Sequence, residues 1–162
     1  MFREMRRFKQ LLPEEETRQI LDEATNVIVG VIGDEGYPYT VPVSHAVDGD
    51  ILYFHCAKEG HKIDAIKANP KVSFSVVVKD EVIPEEFTTY FRSVQGFGKA
   101  RIVEDADERM KAFRVICEKF SMPVMHKFDE TVAKEGPGAL IVAIDIEHMT
   151  GKEAIELVRN RK

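Results

Sequence analysis

Cysteine is scarce in this chain of 162 residues: only Cys56 and Cys117 occur, too few for a disulfide framework, so a reducing cytoplasm is the expected setting. Long apolar runs are missing too; none approaches the roughly 20 residues that a membrane-spanning helix needs. The N-terminal MFREMRRFKQ is basic, but no apolar h-region or small-residue cleavage site follows, and a secretory signal is not expected. Basic residues are outnumbered, 23 against 28 acids, and the net charge of −5 disfavours a global electrostatic grip on nucleic acid. The sequence contains no repeat and no low-complexity segment. What is there, 44% hydrophobic and 31% charged residues, describes one globular domain over 1–162 that can bury a core without staples.

Along the chain, residues 1–11 read as a basic arm, with Arg3, Arg6, Arg7 and Lys9 in the first ten positions. A leading helix is predicted over 12–25. Pro13 suits a helix start because its missing N–H costs nothing there, Glu14–Glu16 face the positive helix end, and Ile20, Leu21 and Ala24 form an apolar stripe. A β region follows. NVIVGVI (26–32) ends at the turn Gly33–Gly36, and YPYTVPVSHAV (37–47) returns as an edge or bulged strand carrying Pro38 and Pro42. Asp48-Gly49-Asp50 turns into the strand ILYFHC (51–56).

The segment 60–69 then breaks the alternation as a short amphipathic helix stopped by Pro70, and 71–78 is a strand again. Residues 79–87, acidic and containing Pro84, are predicted as a loop. The strand 88–103 carries Gly96 and Gly98 as a bend, 106–121 is an inserted helix, 121–138 is a polar connection, and ALIVAIDI (139–146) is the last strand. From Gly151 a final charged helical turn is predicted. Antiparallel strands with few helices suggest a small barrel whose closure removes its edges.

Two segments hold the candidate chemistry. In YFHCAKEGHK (53–62) a strand ends, a glycine turn follows, and His61-Lys62 opens a helix. Free N–H groups and the partial positive charge of a first turn suit a phosphate, and Lys62 adds a full charge; an ordinary strand-to-helix turn with a solvated lysine is the commoner reading of this segment alone, because glycine-lysine turns are common. His55, Cys56 and His61 lack the partner Cys/His pair that a zinc site needs, and no metal site is predicted. In Thr40-Val41-Pro42-Val43-Ser44-His45 a proline-interrupted strand leaves backbone groups free for a flat heterocycle, or simply blunts an edge. Arg92 and Ser93 precede the glycine bend. No nucleophile elbow surrounds Ser44, Ser73 or Ser75. The glycines at 30, 33 and 36, or at 96 and 98, do not lie between a strand and helix as a dinucleotide fingerprint does.

The ordered set GYPYTVPV, YFH, EGHKIDAIKANPKV and FTTYFRSVQGFGKARIVED resembles the flavin-binding split-barrel proteins related to pyridoxamine 5′-phosphate oxidase, most closely the 5-nitroimidazole-resistance (Nim-type) branch. The resemblance runs from about Leu12 to Asp105, and the final strand also fits. It implies a mainly β fold, a six-stranded antiparallel split barrel of FMN-binding type, that forms a homodimer with FMN at each subunit interface.

By the same resemblance, Thr40, Val41, Pro42, Val43, Ser44 and His45 run along the isoalloxazine. His55 and Cys56 lie beside the ribityl phosphate, His61 and Lys62 grip that phosphate, and Arg92 and Ser93 contact the flavin. The oxidase's C-terminal tryptophan and arginine segment has no counterpart, since tryptophan is absent, and an arginine usual at the position of His61 is replaced. Pyridoxamine phosphate oxidation is therefore not expected. The expected activity is FMN-dependent reduction of a small acceptor such as a nitro compound or quinone, with NAD(P)H as electron source and His61 as the catalytic proton donor. The alternative is a non-catalytic FMN- or haem-binding protein of the same fold. Neither nucleic acid nor membrane is an expected partner.

Overall fold

The computed structural model describes residues 1–161. Its centre is one antiparallel sheet of seven strands: β1 (Asn26–Ile32), β2 (Pro38–Ser44), β3 (Ala46–Asp48), β4 (Ile51–Ala57), β5 (Lys71–Ile83), β6 (Thr88–Ile102) and β7 (Ala139–Glu153). The order across the sheet is β2-β1-β5-β6-β7-β4-β3. The two ends of that order, β2 and β3, are separated in sequence by His45 alone, so the sheet must curl until its ends nearly meet. The result is an open, curled half-barrel. The sequence suggested six strands; the seventh arises because the expected strand 37–47 breaks at His45 and pairs with β1 on one side and β4 on the other.

Alternation along the strands sorts two cores. Val27, Val29 and Val31 of β1 point inward with Val72, Phe74 and Val76 of β5, joined by Leu52 and Phe54 of β4. Two helices plug this interior: α1 (Glu14–Glu23) through Leu21, and α2 (His61–Ala68) through Ile63, Ala65 and Ile66. The second core lies on the other face of β4 and β7, where Tyr53, Ile141 and Ala143 meet Ala112, Phe113 and Ile116 of α3 (Ala106–Ser121) and Phe128 of α4 (Phe128–Glu135). Because β4 and β7 are covered on both faces, Ile141–Ile144 are all buried, which explains the uninterrupted apolar run there. Asp105 caps α3 by accepting the Glu108 N–H at 2.8 Å.

Several expectations shift. The loop predicted over 79–87 is mostly strand: β5 continues to Ile83, and Pro84 sits in the tight turn before β6. Solvent on both faces of this protruding ribbon removed the apolar alternation that would have revealed it. The connection 121–138 contains α4, and β7 runs on to Glu153 rather than ending at 146. The leading helix is shorter than 12–25, with Pro13 as its N-cap, and a last helix α5 (Ile155–Asn160) follows Gly151 as expected. The bend at Gly96 and Gly98 is a β-bulge against β7 between Phe97 and Gly98.

Candidate functional site

The strand β2 is an edge with one free side, and its residues alternate strictly. Val41 and Val43 pack on the inner core, whereas Thr40, Pro42 and Ser44 face outward. Register carries that outward face across the sheet. One row runs Thr40, Gly30, Ser73, Phe97, His148; the next runs Pro42, Ile28, Ser75, Gln95, Thr150. Four strand spacings make each row about 19 Å long. Ser93 lies two residues from Gln95 and so on the same face, together with the exposed apolar side chains Ile28, Ile32, Val77 and Phe97.

At the rim of this face α2 begins. Gly60 has φ +134°, a conformation that disfavours any side chain, with open space where a Cβ would be. Its carbonyl accepts from Ile63 at 2.8 Å and Asp64 at 3.2 Å, and no side chain caps the helix start. The backbone N–H groups of His61 and Lys62, which have no partner among the described residues, are thus open to a ligand. Lys62 is half-buried and forms no ion pair among the described residues. Burial pushes the nearby Cys56 thiol pKa up, and the Lys62 charge pulls it partly back. This donor set fits a phosphate.

His61 joins that rim to the β1–β2 hairpin. Its ring stacks on Tyr39 with centroids 4.3 Å apart, and the Asp34 N–H donates to its Nε2 at 3.3 Å. In this arrangement Nε2 is the acceptor, and the neutral ring carries its proton on Nδ1. The turn, β2 and the start of α2 are therefore brought together.

The remaining candidates lie elsewhere. His55 and Cys56 are neighbours on β4 and so point to opposite faces; His55 looks toward α3 and α4, into a hollow of about 170 Å³ that also touches Cys117. Among the described residues no group of three His, Cys, Asp or Glu side chains stands together as a metal cage. His45 is fully buried, donating from Nε2 to the Leu21 carbonyl at 2.7 Å, while its Nδ1 has no partner. Burial lowers its pKa to about 4, and Lys119 pushes the same way.

Arg92 is on the face opposite Ser93. Its Nε donates to Glu153 at 3.0 Å, and Arg161 holds the same buried carboxylate at 2.9 Å while reaching Glu16. Sequence reasoning missed a further cluster: Arg101 bonds Asp145 at 2.9 Å and Glu108 at 2.7 Å, and the buried Tyr53 hydroxyl donates to Glu108 at 3.0 Å. Its members are scattered over 53–145, so no local pattern announces them. Burial first, then Glu108, raises the Tyr53 pKa to about 12, which marks a structural phenol rather than an acid near neutrality.

A curled antiparallel sheet with one outward strand face and an uncapped helix start at its rim defines a split-barrel class of protein. Residues 13–153 match the family model described as pyridoxamine 5′-phosphate oxidase, and the chain belongs to that family. Solved structures share the fold. A candidate 5-nitroimidazole antibiotic resistance protein from Bacteroides thetaiotaomicron is 23% identical, with TM-score 0.70 over 88% of this chain and 86% of that one. The flavocytochrome Anf3 from Azotobacter vinelandii is 20% identical, with TM-score 0.79 over 93% and 72%. An FAD-binding protein from Mesorhizobium loti is 23% identical, with TM-score 0.65 over 90% and 97%. No curated protein matches the chain. No helix among the described residues is long and apolar enough to cross a membrane.

Proposed function

We propose that the protein is an FMN-dependent oxidoreductase that reduces a small acceptor, such as a nitro compound or quinone, with electrons from NAD(P)H. The observation that carries this reading is the open start of α2, with Gly60 at φ +134° and Lys62 unpaired, beside the free edge of β2. A bound flavin supplies two-electron hydride chemistry, which no side chain does. The Lys62 ammonium and the backbone N–H groups of His61 and Lys62 hold the phosphate, because a dianion gains both from the helix end and from the ammonium. Thr40, Pro42 and Ser44 of β2 offer the heterocycle a flat backbone edge with hydroxyls, and Ser93 of β6 adds a hydroxyl on the same sheet face.

His61 acts from this rim, with Nδ1–H as the proton it holds. His45 serves β2 indirectly, by anchoring the β2–β3 break to α1. A second copy of the chain covers the β1–β5 part of the outward face, since Ile28, Ile32 and Val77 leave an apolar patch across two neighbouring strands that favours association.

Heating the purified protein and recording the absorbance and mass of what is released tests the reading. Released FMN is expected. A colourless protein that added FMN does not stabilise refutes it, and released FAD or haem removes the FMN part. One observation favours a non-catalytic binder: His61 Nε2 is already occupied by the Asp34 N–H. NAD(P)H-dependent bleaching with turnover of a nitro compound or quinone separates the two. A flavin that stays oxidised with every acceptor supports the binder.

A further inference from the structure

The N-terminal arm folds back onto the outward sheet face and seats an aromatic ring there. Phe97 and His148 are register partners on β6 and β7, and their rings lie with centroids 6.5 Å apart and planes within 14° of parallel. They form one floor. The ring of Phe2 lies on it, 4.8 Å from His148 at 7° and 5.4 Å from Phe97 at 17°. Phe2 itself remains 41% exposed, so its seat is shallow and open to exchange.

Around the seat, a hollow of about 430 Å³ is bounded by Phe2, Arg3, Phe8, His148 and Thr150, a size that suits a small ligand. On the other side of Phe8 a second hollow of about 270 Å³ is lined by Arg6, Arg7, Lys9 and Gln10. Gln10 is only 4% exposed, yet its Oε1 has no hydrogen-bond partner. The arm cations Arg3, Arg6, Arg7 and Lys9 form no ion pair among the described residues, and only Glu4 opposes them within the arm.

We propose that this arm and the Phe97–His148 floor form a nucleotide-binding site, with Phe2 as the chain's own stand-in for the base. A nucleotide matches the rings and the cations in turn. Its planar base stacks on two near-parallel rings, and its phosphate answers several unpaired cations. The arm is then a lid: a base must displace Phe2 to take the floor, and the arm cations close over the phosphate. The site is distinct from the α2 rim and does not rest on the flavin reading.

Calorimetric titration of the full-length protein as purified tests this, with AMP, adenosine, inorganic phosphate and NADP⁺ as probes and flavin absorbance followed in the same samples. AMP is expected to bind, and Phe97→Ala or His148→Ala to weaken it about tenfold or more. Phe2→Ala is expected to tighten adenosine, because the internal competitor is gone. Arg6→Ala with Arg7→Ala is expected to weaken AMP but not adenosine. All five side chains are at or near the surface, and unchanged circular dichroism shows that each variant folds. NADP⁺ binding more tightly than AMP identifies a dinucleotide, and equal binding a mononucleotide. Phosphate competing as well as AMP, or AMP affinity unchanged in the Phe97, His148 and Phe2 variants, overturns the proposal. Loss of flavin absorbance without loss of AMP binding bears on the α2 rim alone.

Discussion

Acid lability localised to His45 is the sharpest energetic consequence of this fold. The imidazole is buried, bonded through Nε2 to Leu21, and bare at Nδ1. Protonating Nδ1 would place a charge in the interior without a partner, which is why burial lowers the pKa from 6.5 to about 4. Lys119 opposes the charge as well, and Asp22 offsets it only partly. Below pH 6.5 the unfolded chain therefore binds a proton that the folded chain refuses. Stability is lost as pH falls from 6.5 toward 4, by about 2 kcal/mol at pH 5 and about 3 kcal/mol near pH 4 relative to neutral pH.

His45→Gln isolates this effect, because a glutamine amide keeps a donor near Nε2 for Leu21 and does not titrate. Urea unfolding of both proteins at pH 7, 6, 5 and 4.5 cancels the contribution of the other carboxylates and histidines in the difference. Wild type is expected to lose about 2 kcal/mol relative to the variant between pH 7 and 5. A difference that stays flat over that range refutes a neutral, buried His45.

Four further outcomes follow from the geometry. Lys62→Ala is expected to weaken FMN binding by about 1–3 kcal/mol in a fluorescence titration, and an unchanged affinity means the phosphate sits elsewhere. Arg92→Ala leaves the buried Glu153 with Arg161 alone and is expected to cost about 2 kcal/mol in urea unfolding while shifting flavin affinity little; a more than tenfold affinity change would instead put the guanidinium on the flavin. Gly96→Ala drives a methyl to 2.1 Å from the Phe74 ring and is expected to destabilise by about 1–3 kcal/mol, and a neutral result in thermal unfolding contradicts that close approach. Gly60→Ala meets no atom but must adopt φ +134°, so it is expected to cost about 1–3 kcal/mol of stability and to loosen the flavin phosphate; wild-type values for both would show that the turn tolerates a side chain.

Much of the framework could be read along the chain, because its signals are local. The Gly33–Gly36 and Asp48–Asp50 turns, the proline stop after 69 and the valine alternation of 27–31 each act within a few residues. The end of β5 over 79–83 could not be read, since both its faces are largely wet and no period survives. Nor could the fate of individual candidates. His45 and Ser44 are adjacent in the same motif, yet one faces the core and the other solvent, and Arg92 and Ser93, both half-buried, point to opposite faces of the sheet. Motif adjacency cannot separate them, because a strand sends consecutive side chains to opposite faces and the register of a bulged strand is set by its partners.

The sequence by itself determined the antiparallel strands, the helix that opens at His61-Lys62 with its free N–H groups, and the family. These follow from periodicity, from turn residues and from an ordered set of motifs, all of which act over short spans. Only the tertiary structure decided that the strand through His45 divides between the two ends of the sheet, that Arg92 is held by a glutamate 61 positions away, and that Phe2 returns to lie on Phe97 and His148. Those outcomes depend on where the curl of a twisted sheet brings distant residues. That curl is a property of all seven strands pairing at once.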